Sequence, residues 1–235
     1  MRHIAFIALA LISAGIIISA AMLAVLAEGQ EADSLLTKSA QEYANGSYDL
    51  ALQDINNYLE QNSTDASSWI AKGLIQIKLG KYEDALNSFD KVTELNSSND
   101  QAWNNKALIQ GALGKNNEAI DSIDRALEIN PESASTWYNK GLLLENMGRY
   151  NESLEAFDNA TKLDSSFAKA WIEEGKILKA EKDYNGSLKY LDKATTLQST
   201  NKDAWSAKGD VLTALGRDAD ASIAYGMAGK TVERP

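Results

Sequence analysis

The side chains that most often carry enzymatic chemistry are scarce in this chain of 235 residues. It has no cysteine and only one histidine, His3, so the remainder offers neither Ser-His nor Cys-His catalysis. The usual transition-metal ligands are missing for the same reason. Closely spaced carboxylates occur at Glu173-Glu174 and at Asp218 with Asp220. Neighbouring carboxylates on a helix point in different directions and usually face solvent, so we expect no catalytic, cofactor or metal site.

The charge balance limits the class of partner. The net charge is −10, from 23 Lys and Arg against 33 Asp and Glu. Nucleic acid is therefore not an expected partner, because affinity for phosphate requires clustered Lys and Arg. Three lysines, Lys169, Lys176 and Lys179, are spaced to share one face of a helix. They could receive an acidic part of a partner, or they could form an ordinary solvated face.

Tryptophan spacing defines the elements that position these side chains. All five tryptophans lie 34 residues apart, which indicates stacked helical repeats. Small residues recur four and sixteen positions after each tryptophan, and large apolar residues recur at twenty. We expect the small residues to let two helices approach closely and the large ones to form the core. The tryptophans, which we also expect in the core, are Trp69, Trp103, Trp137, Trp171 and Trp205.

Each repeat is predicted to be a helix, a glycine turn, a second helix and a polar turn. Glycine stands eleven residues after most tryptophans, where a helix end needs positive φ, but Lys182 breaks this run. Counting back from Trp69 gives a first repeat without tryptophan that begins its pattern at Leu35. The predicted domain is 32–235, with repeats 32–65, 66–99, 100–133, 134–167, 168–201 and 202–235.

The fourth repeat has the most complete pattern: Trp137-Tyr138-Asn139-Lys140-Gly141, Gly148-Arg149-Tyr150, Ser153, Phe157 and Ala160. This pattern resembles the tetratricopeptide repeat (TPR) family. The resemblance implies an all-α fold, a right-handed α-α superhelix of about twelve antiparallel helices. One apolar N-terminal helix would precede it.

The resemblance also implies a partner-binding groove on the concave face, with contacts one, five, eight and nine residues after the tryptophan position. The candidate partner-binding residues are Ile70, Leu74, Ile77, Asn104, Leu108, Tyr138, Leu142, Glu145, Asn146, Lys176 and Lys179. The family's chaperone-binding carboxylate clamp is missing at these positions. We therefore expect a partner segment with apolar side chains in the groove and an acidic part near Lys176 and Lys179.

The first 31 residues are predicted to be a signal anchor or a cleaved signal peptide with a short linker. Residues 4–27 carry no charge and are long enough to cross a membrane. Arg2 before this segment and Glu28 after it favour export of the repeats. The product would be membrane-anchored on the extracytoplasmic side, or secreted. Six Asn-x-Ser/Thr sequons fit export or ordinary turn composition equally well: Asn45, Asn62, Asn96, Asn151, Asn159 and Asn185.

The sequence thus predicts a non-catalytic module that binds a protein or peptide, with no cofactor. Two alternatives remain open. One is a structural component that self-associates through its last repeat, as a homo-oligomer in a surface or envelope assembly. The other is a scaffold subunit of an enzyme complex.

Overall fold

The computed structural model describes residues 34–229, and within that range every regular element is an α-helix. The predicted N-terminal helix at residues 4–27 lies outside the described residues, and the division at residue 31 stays a prediction. The helices are α1 Ser34–Ala44, α2 Tyr48–Gln61, α3 Ala66–Lys78, α4 Tyr82–Leu95, α5 Asp100–Ala112, α6 Asn116–Ile129, α7 Ala134–Asn146, α8 Tyr150–Leu163, α9 Ala168–Ala180, α10 Tyr184–Leu197, α11 Lys202–Ala214 and α12 Asp218–Met227.

The helices fall into two compact units that divide after Pro131. The first unit contains α1 to α6 and the second contains α7 to α12. Inside each unit every helix packs against the next one along the chain. None of the helices between residues 34 and 229 is both long and apolar enough to cross a membrane.

The polar turns start the first helix of several repeats. The side chains of Asp65, Asn99, Ser133 and Asn201 accept hydrogen bonds from backbone N–H groups of the first turn. Such N-caps satisfy donors that have no partner inside the helix. Lys182 follows α9 with φ of +67°, the left-handed conformation that glycine has in the equivalent turns. The turn geometry is therefore kept where the sequence pattern loses its glycine.

The core of each unit contains large apolar residues from the second helices of its repeats. Ile55, Phe89, Ile123, Phe157 and Leu191 have none of their surface exposed. Glycine four residues after the tryptophan leaves room for Phe89, Phe157 and Leu191, because a Cβ on Gly73, for example, would lie 2.7 Å from Phe89 Cε2. The small residues thus allow close helix approach, as the pattern predicts.

The tryptophans are partly buried, and Trp69, Trp137, Trp171 and Trp205 pack against core residues without being fully enclosed by them. Four indole N–H groups donate to a backbone carbonyl six residues earlier, at 2.7 to 3.1 Å. Four lysine ammonium groups lie 4.7 to 5.3 Å from the centre of a tryptophan ring. Trp69, Trp103 and Trp205 therefore each hold the turn before their own helix while a lysine stem covers the outer face of the ring.

The two units differ where the helices of a repeat meet, seven and nineteen residues after the tryptophan position. In the first unit Ser88 donates to Gln76 at 2.6 Å, and Ser122 donates to Gln110 at 2.7 Å. All four of these side chains are buried. In the fourth repeat, which lies in the second unit, the same positions hold buried Leu144 and Ala156.

Candidate partner-binding face

The predicted groove residues of the second unit lie on the first helices of its repeats. Tyr138, Leu142 and Glu145 on α7 are half-buried, as are Lys176 and Lys179 on α9, while Asn146 is exposed. Together with Glu173 on α9 and Asp210 on α11 we call these residues the α7–α9–α11 face. Because half-buried side chains keep atoms open to solvent, this face can contact a partner.

Ion pairs organise the charged part of the α7–α9–α11 face. The Lys176 ammonium lies 3.0 Å from both carboxylate oxygens of Glu173 on the same helix. The Lys179 ammonium crosses to α11 and lies 2.8 Å from Asp210 Oδ2. The Tyr225 hydroxyl donates to the other Asp210 oxygen at 2.9 Å. Both lysines are thus bound to carboxylates of the same surface, which weakens the case for an acidic partner segment near them.

The Glu145 carboxylate has less opposite charge close to it than Glu173 or Asp210, which form ion pairs with lysines. Burial raises the pKa of the Glu145 carboxyl, the nearby Glu173 raises it further, and Lys176 opposes both. A carboxylate of raised pKa gains stability when a hydrogen-bond donor or a cation approaches. A partner group of that kind is therefore favoured beside Glu145.

Tyr138 adds a partly accessible aromatic ring to the same face. Its ring centre lies 5.5 Å from that of Phe157 and 5.0 Å from that of Phe167. Burial raises the pKa of the Tyr138 hydroxyl to about 12, and Glu173 and Glu145 add to the shift. Leu142 packs against the same cluster. The ring is held on two sides while part of its surface remains accessible.

The equivalent residues of the first unit are placed differently. Ile70 is 7% exposed and Leu74 is 4% exposed, because both belong to the core cluster of that unit. Asn104 is buried as well, whereas Ile77 and Leu108 are half-buried. Of the predicted apolar contact residues in the first unit, the structure therefore leaves only Ile77 and Leu108 accessible to a partner.

Sequence reasoning missed the contributions of Glu173, Asp210 and Tyr225. Glu173 was visible as one of two adjacent carboxylates, and its spacing of three residues to Lys176 was a signal for an ion pair. The contacts of Asp210 with Lys179 and Tyr225 join different helices. No spacing along one helix could have shown them.

The second pair of closely spaced carboxylates belongs to α12. Asp218 and Asp220 are exposed in the first turn of α12, where Asp220 pairs with Arg217 at 2.6 Å. Among residues 34–229 no group of three or more His, Cys, Asp or Glu is arranged to hold a metal ion.

Several sequon residues form packing or turn contacts within the fold. Ser153 and Ser187 end two of them, are fully buried, and donate to backbone carbonyls at 2.8 and 2.6 Å. Asn62 donates to the Tyr58 carbonyl at 3.0 Å, and Asn96 accepts from Ser98 at 2.8 Å. Turn and packing roles thus account for these residue types, and glycosylation stays a prediction. The asparagines Asn45, Asn96, Asn151 and Asn185 are exposed, and Asn62 and Asn159 are half-buried.

Solved structures share this fold. MamA from Desulfovibrio magneticus RS-1 is 20% identical with a TM-score of 0.65, covering 71% of this chain and 94% of its own. PilF from Pseudomonas aeruginosa is 18% identical with a TM-score of 0.70, covering 83% and 88%. YrrB, described as a TPR protein with an unusual peptide-binding site, is 22% identical with a TM-score of 0.58, covering 74% and 90%.

The sequence agrees with these structures. No protein with a curated description matches the chain significantly. Family models for the tetratricopeptide repeat match residues 70–134, 134–167 and 168–201, which together are more than half of the chain. With its paired helices and 34-residue period, the chain belongs to the tetratricopeptide repeat family.

Proposed function

We propose that the chain is a non-catalytic interaction module that binds a segment of a partner protein on the α7–α9–α11 face. One observation carries the proposal: Tyr138, Leu142 and Glu145 keep accessible surface, while Ile70 and Leu74 of the first unit are buried. Partly exposed aromatic and apolar side chains next to ordered charges are typical of recognition surfaces. YrrB, whose description names a peptide-binding site, is a precedent for such a role in this fold.

The chemistry of the face suggests the segment it would accept. An apolar side chain of the partner would pack on the Tyr138 ring and on Leu142. Hydrogen-bond donors of the partner would meet Glu145, which is compensated only by Lys176. The ion pairs of Lys176 and Lys179 would fix the register of the segment. An extended or helical segment with one apolar anchor and a donor or cation beside it satisfies all three requirements.

Charge reversal tests this assignment. We would crosslink partners to the chain in its native cell and identify them by mass spectrometry, with wild type and with Glu145→Lys. The variant is expected to lose the partners, because it places a cation where their hydrogen-bond donor or cation would bind. The matched control is Glu155→Lys, which makes the same charge change at an exposed glutamate of α8. Equal capture by both variants would contradict the proposal.

Self-association through the last repeat is a second candidate function. Ile223 is 66% exposed and Met227 is 50% exposed on α12. The equivalent pairs of earlier repeats are polar: Gln53/Asn57, Asn87/Lys91, Asp121/Arg125, Glu155/Asn159 and Lys189/Lys193. Exposed apolar pairs of this kind favour contact with another surface. Sedimentation velocity over a concentration series should detect a dimer that Ile223→Lys/Met227→Lys abolishes, and a monomer at high concentration would exclude it.

We also propose that residues 4–27 hold the repeats on the extracytoplasmic side of a membrane, or direct their secretion after cleavage. The support is the uncharged length of this segment and the positive residue before it. Carbonate extraction of membranes and mass spectrometry of the N-terminus distinguish the two outcomes. A chain that resists extraction and keeps residue 4 is anchored, whereas a chain that begins near Glu28 is cleaved. A full-length chain that stays soluble in the cytoplasm contradicts both.

A further inference from the structure

One repeat departs from the others at the residue that covers its tryptophan. Lys72, Lys106, Lys140 and Lys208 each stand three residues after a tryptophan, with the ammonium within 5.3 Å of the ring centre. The same position in the fifth repeat is Glu174. There the Trp171 ring lies against Tyr190 instead, with 5.5 Å between ring centres.

The covering lysine also joins successive repeats. Lys106 on α5 lies 2.7 Å from Asp90 on α4. Lys208 on α11 lies 2.8 Å from Asp192 on α10. Both lysine side chains are about one-fifth exposed. The α4–α5 and α10–α11 junctions are therefore closed by a partly buried pair of opposite charges.

The α8–α9 junction brings two carboxyl groups together instead. Asp158 on α8 has the same register position as Asp90 and Asp192, but it faces Glu174 on α9. Glu174 is only 2% exposed, and its Oε2 atom has no hydrogen-bond partner among residues 34–229. Asp158 is occupied by Lys162, whose ammonium lies 2.5 Å from it on the same helix. No charge within this junction offsets an ionised Glu174 fully.

Burial and the nearby Asp158 set the direction in which the Glu174 pKa moves. Burial raises the pKa of the Glu174 carboxyl to about 8, Asp158 on α8 adds to the shift, and Lys162 on α8 opposes it. Tyr190 from α10 faces the same site, and burial and Glu174 both raise the pKa of its hydroxyl. The carboxyl is therefore mostly protonated in the closed structure near neutral pH.

We propose that the α8–α9 junction is a proton-controlled joint, closed while Glu174 keeps its proton and opened when rising pH removes that proton. The opened junction exposes the carboxylate to water and separates it from Asp158. The inference goes beyond the proposed binding function and does not depend on it. Because α9 also carries Glu173 and Lys176, opening would shift half of the α7–α9–α11 face relative to α7.

The sign and the pH window follow from linkage. In the opened state the Glu174 pKa returns towards its ordinary value of 4.5, while in the closed state it is about 8. The closed state holds more protons between these values, so its stability is complete below about pH 4.5 and falls as pH rises to about 8. Within that window the opening equilibrium grows by roughly tenfold per pH unit, and it levels off above it.

Hydrogen exchange on the full chain tests the joint. Wild type and Glu174→Gln, a neutral mimic of the protonated side chain, are compared at pH 6, 7 and 8. Relative to the variant, wild-type protection in α9 and the end of α8 should fall by roughly tenfold per pH unit. Peptides of the α10–α11 junction, which Lys208 and Asp192 close, should not differ. Equal protection of α9 in both proteins overturns the proposal, as does a uniform loss over all helices.

Two further variants separate the joint from a general charge effect. Glu174→Lys recreates the residue of the other repeats beside Asp158 and should keep α9 protected at every pH. Glu173→Gln removes a charge from the adjacent residue, which pairs with Lys176 on the other side of α9, and should behave like wild type. If Glu173→Gln abolishes the pH dependence, or if Glu174→Lys retains it, the joint is not at Glu174.

Discussion

The two units share the same 34-residue pattern of positions, but they differ in their buried side chains and in their accessible surfaces. Between its paired helices the first unit buries amide–hydroxyl pairs, Gln76–Ser88 and Gln110–Ser122. The fourth repeat, in the second unit, buries Leu144 and Ala156 at the same positions. On the first helices the contrast is reversed, because Ile70 and Leu74 are buried, whereas Tyr138 and Leu142 at the same positions of the fourth repeat are half-buried. A shared repeat pattern therefore fixes helix placement, while single side chains decide which surface is available.

The largest expected effect comes from moving a polar residue of the first unit into the apolar position of the second. Leu144→Gln loses a leucine that is 1% exposed and buries an amide opposite Ala156. Lost apolar burial and an unpaired amide together should lower the free energy of unfolding by about 3–5 kcal/mol. Adding Ala156→Ser, which recreates the Gln–Ser pair, should recover part of the loss in urea denaturation. An unchanged urea midpoint for Leu144→Gln would mean that this position accepts a polar or an apolar side chain equally well, which would contradict the prediction.

The reverse exchange in the first unit should have a smaller effect. Gln110→Leu keeps most of the packed volume but leaves the buried Ser122 hydroxyl without its amide partner. We expect a loss of about 1–2 kcal/mol, because the hydroxyl can turn to a carbonyl of its own helix. Gln110→Leu/Ser122→Ala should return close to wild type, since both partners are then apolar. Thermal unfolding of the three variants measures this, and a double variant worse than the single one would contradict it.

The smallest effect is expected where the two units agree. Lys106→Met in the first unit and Lys208→Met in the second remove equivalent ion pairs and equivalent contacts with a tryptophan face. Each should cost about 0.5–1 kcal/mol, because the methionine keeps the apolar stem and the pairs are partly screened. The loss should shrink in 1 M salt. Unequal losses in the two units would show that their outer surfaces also differ.

The sequence predicts the helices and their packing register well, but it predicts the partner face less completely. Glycine at position 73 and phenylalanine at position 89 indicate that two helices approach closely before any distance is known. The reason is that a small and a large side chain recur at these two positions in successive repeats. Periodicity also places Ile70 and Tyr138 on the same stripe of their helices. It does not show that the core of the first unit covers Ile70, since that depends on neighbouring helices.

Two other features of the structure could not be predicted from residue spacing. The prediction of buried tryptophans treated large aromatic residues as core, whereas the indole N–H must reach a polar partner. Glu174 appeared as one of two solvated carboxylates, although it is nearly fully buried. The charged and polar groups that interact with it, Asp158 and Tyr190, belong to the helices before and after α9. Contacts between helices decided the case of Glu174, whereas the tryptophans bond to the turn before their own helix.

The hydrogen bonds from indole N–H groups to carbonyls six residues earlier have an optical consequence. Trp69, Trp103, Trp171 and Trp205 each report on the turn before its own helix, because the bond breaks when that turn frays. Fluorescence emission of a chain that retains one tryptophan, with phenylalanine at the other four, would follow a single turn during unfolding. The protein thus carries native reporters spaced along its length, and these can show whether the array melts from one end or all at once.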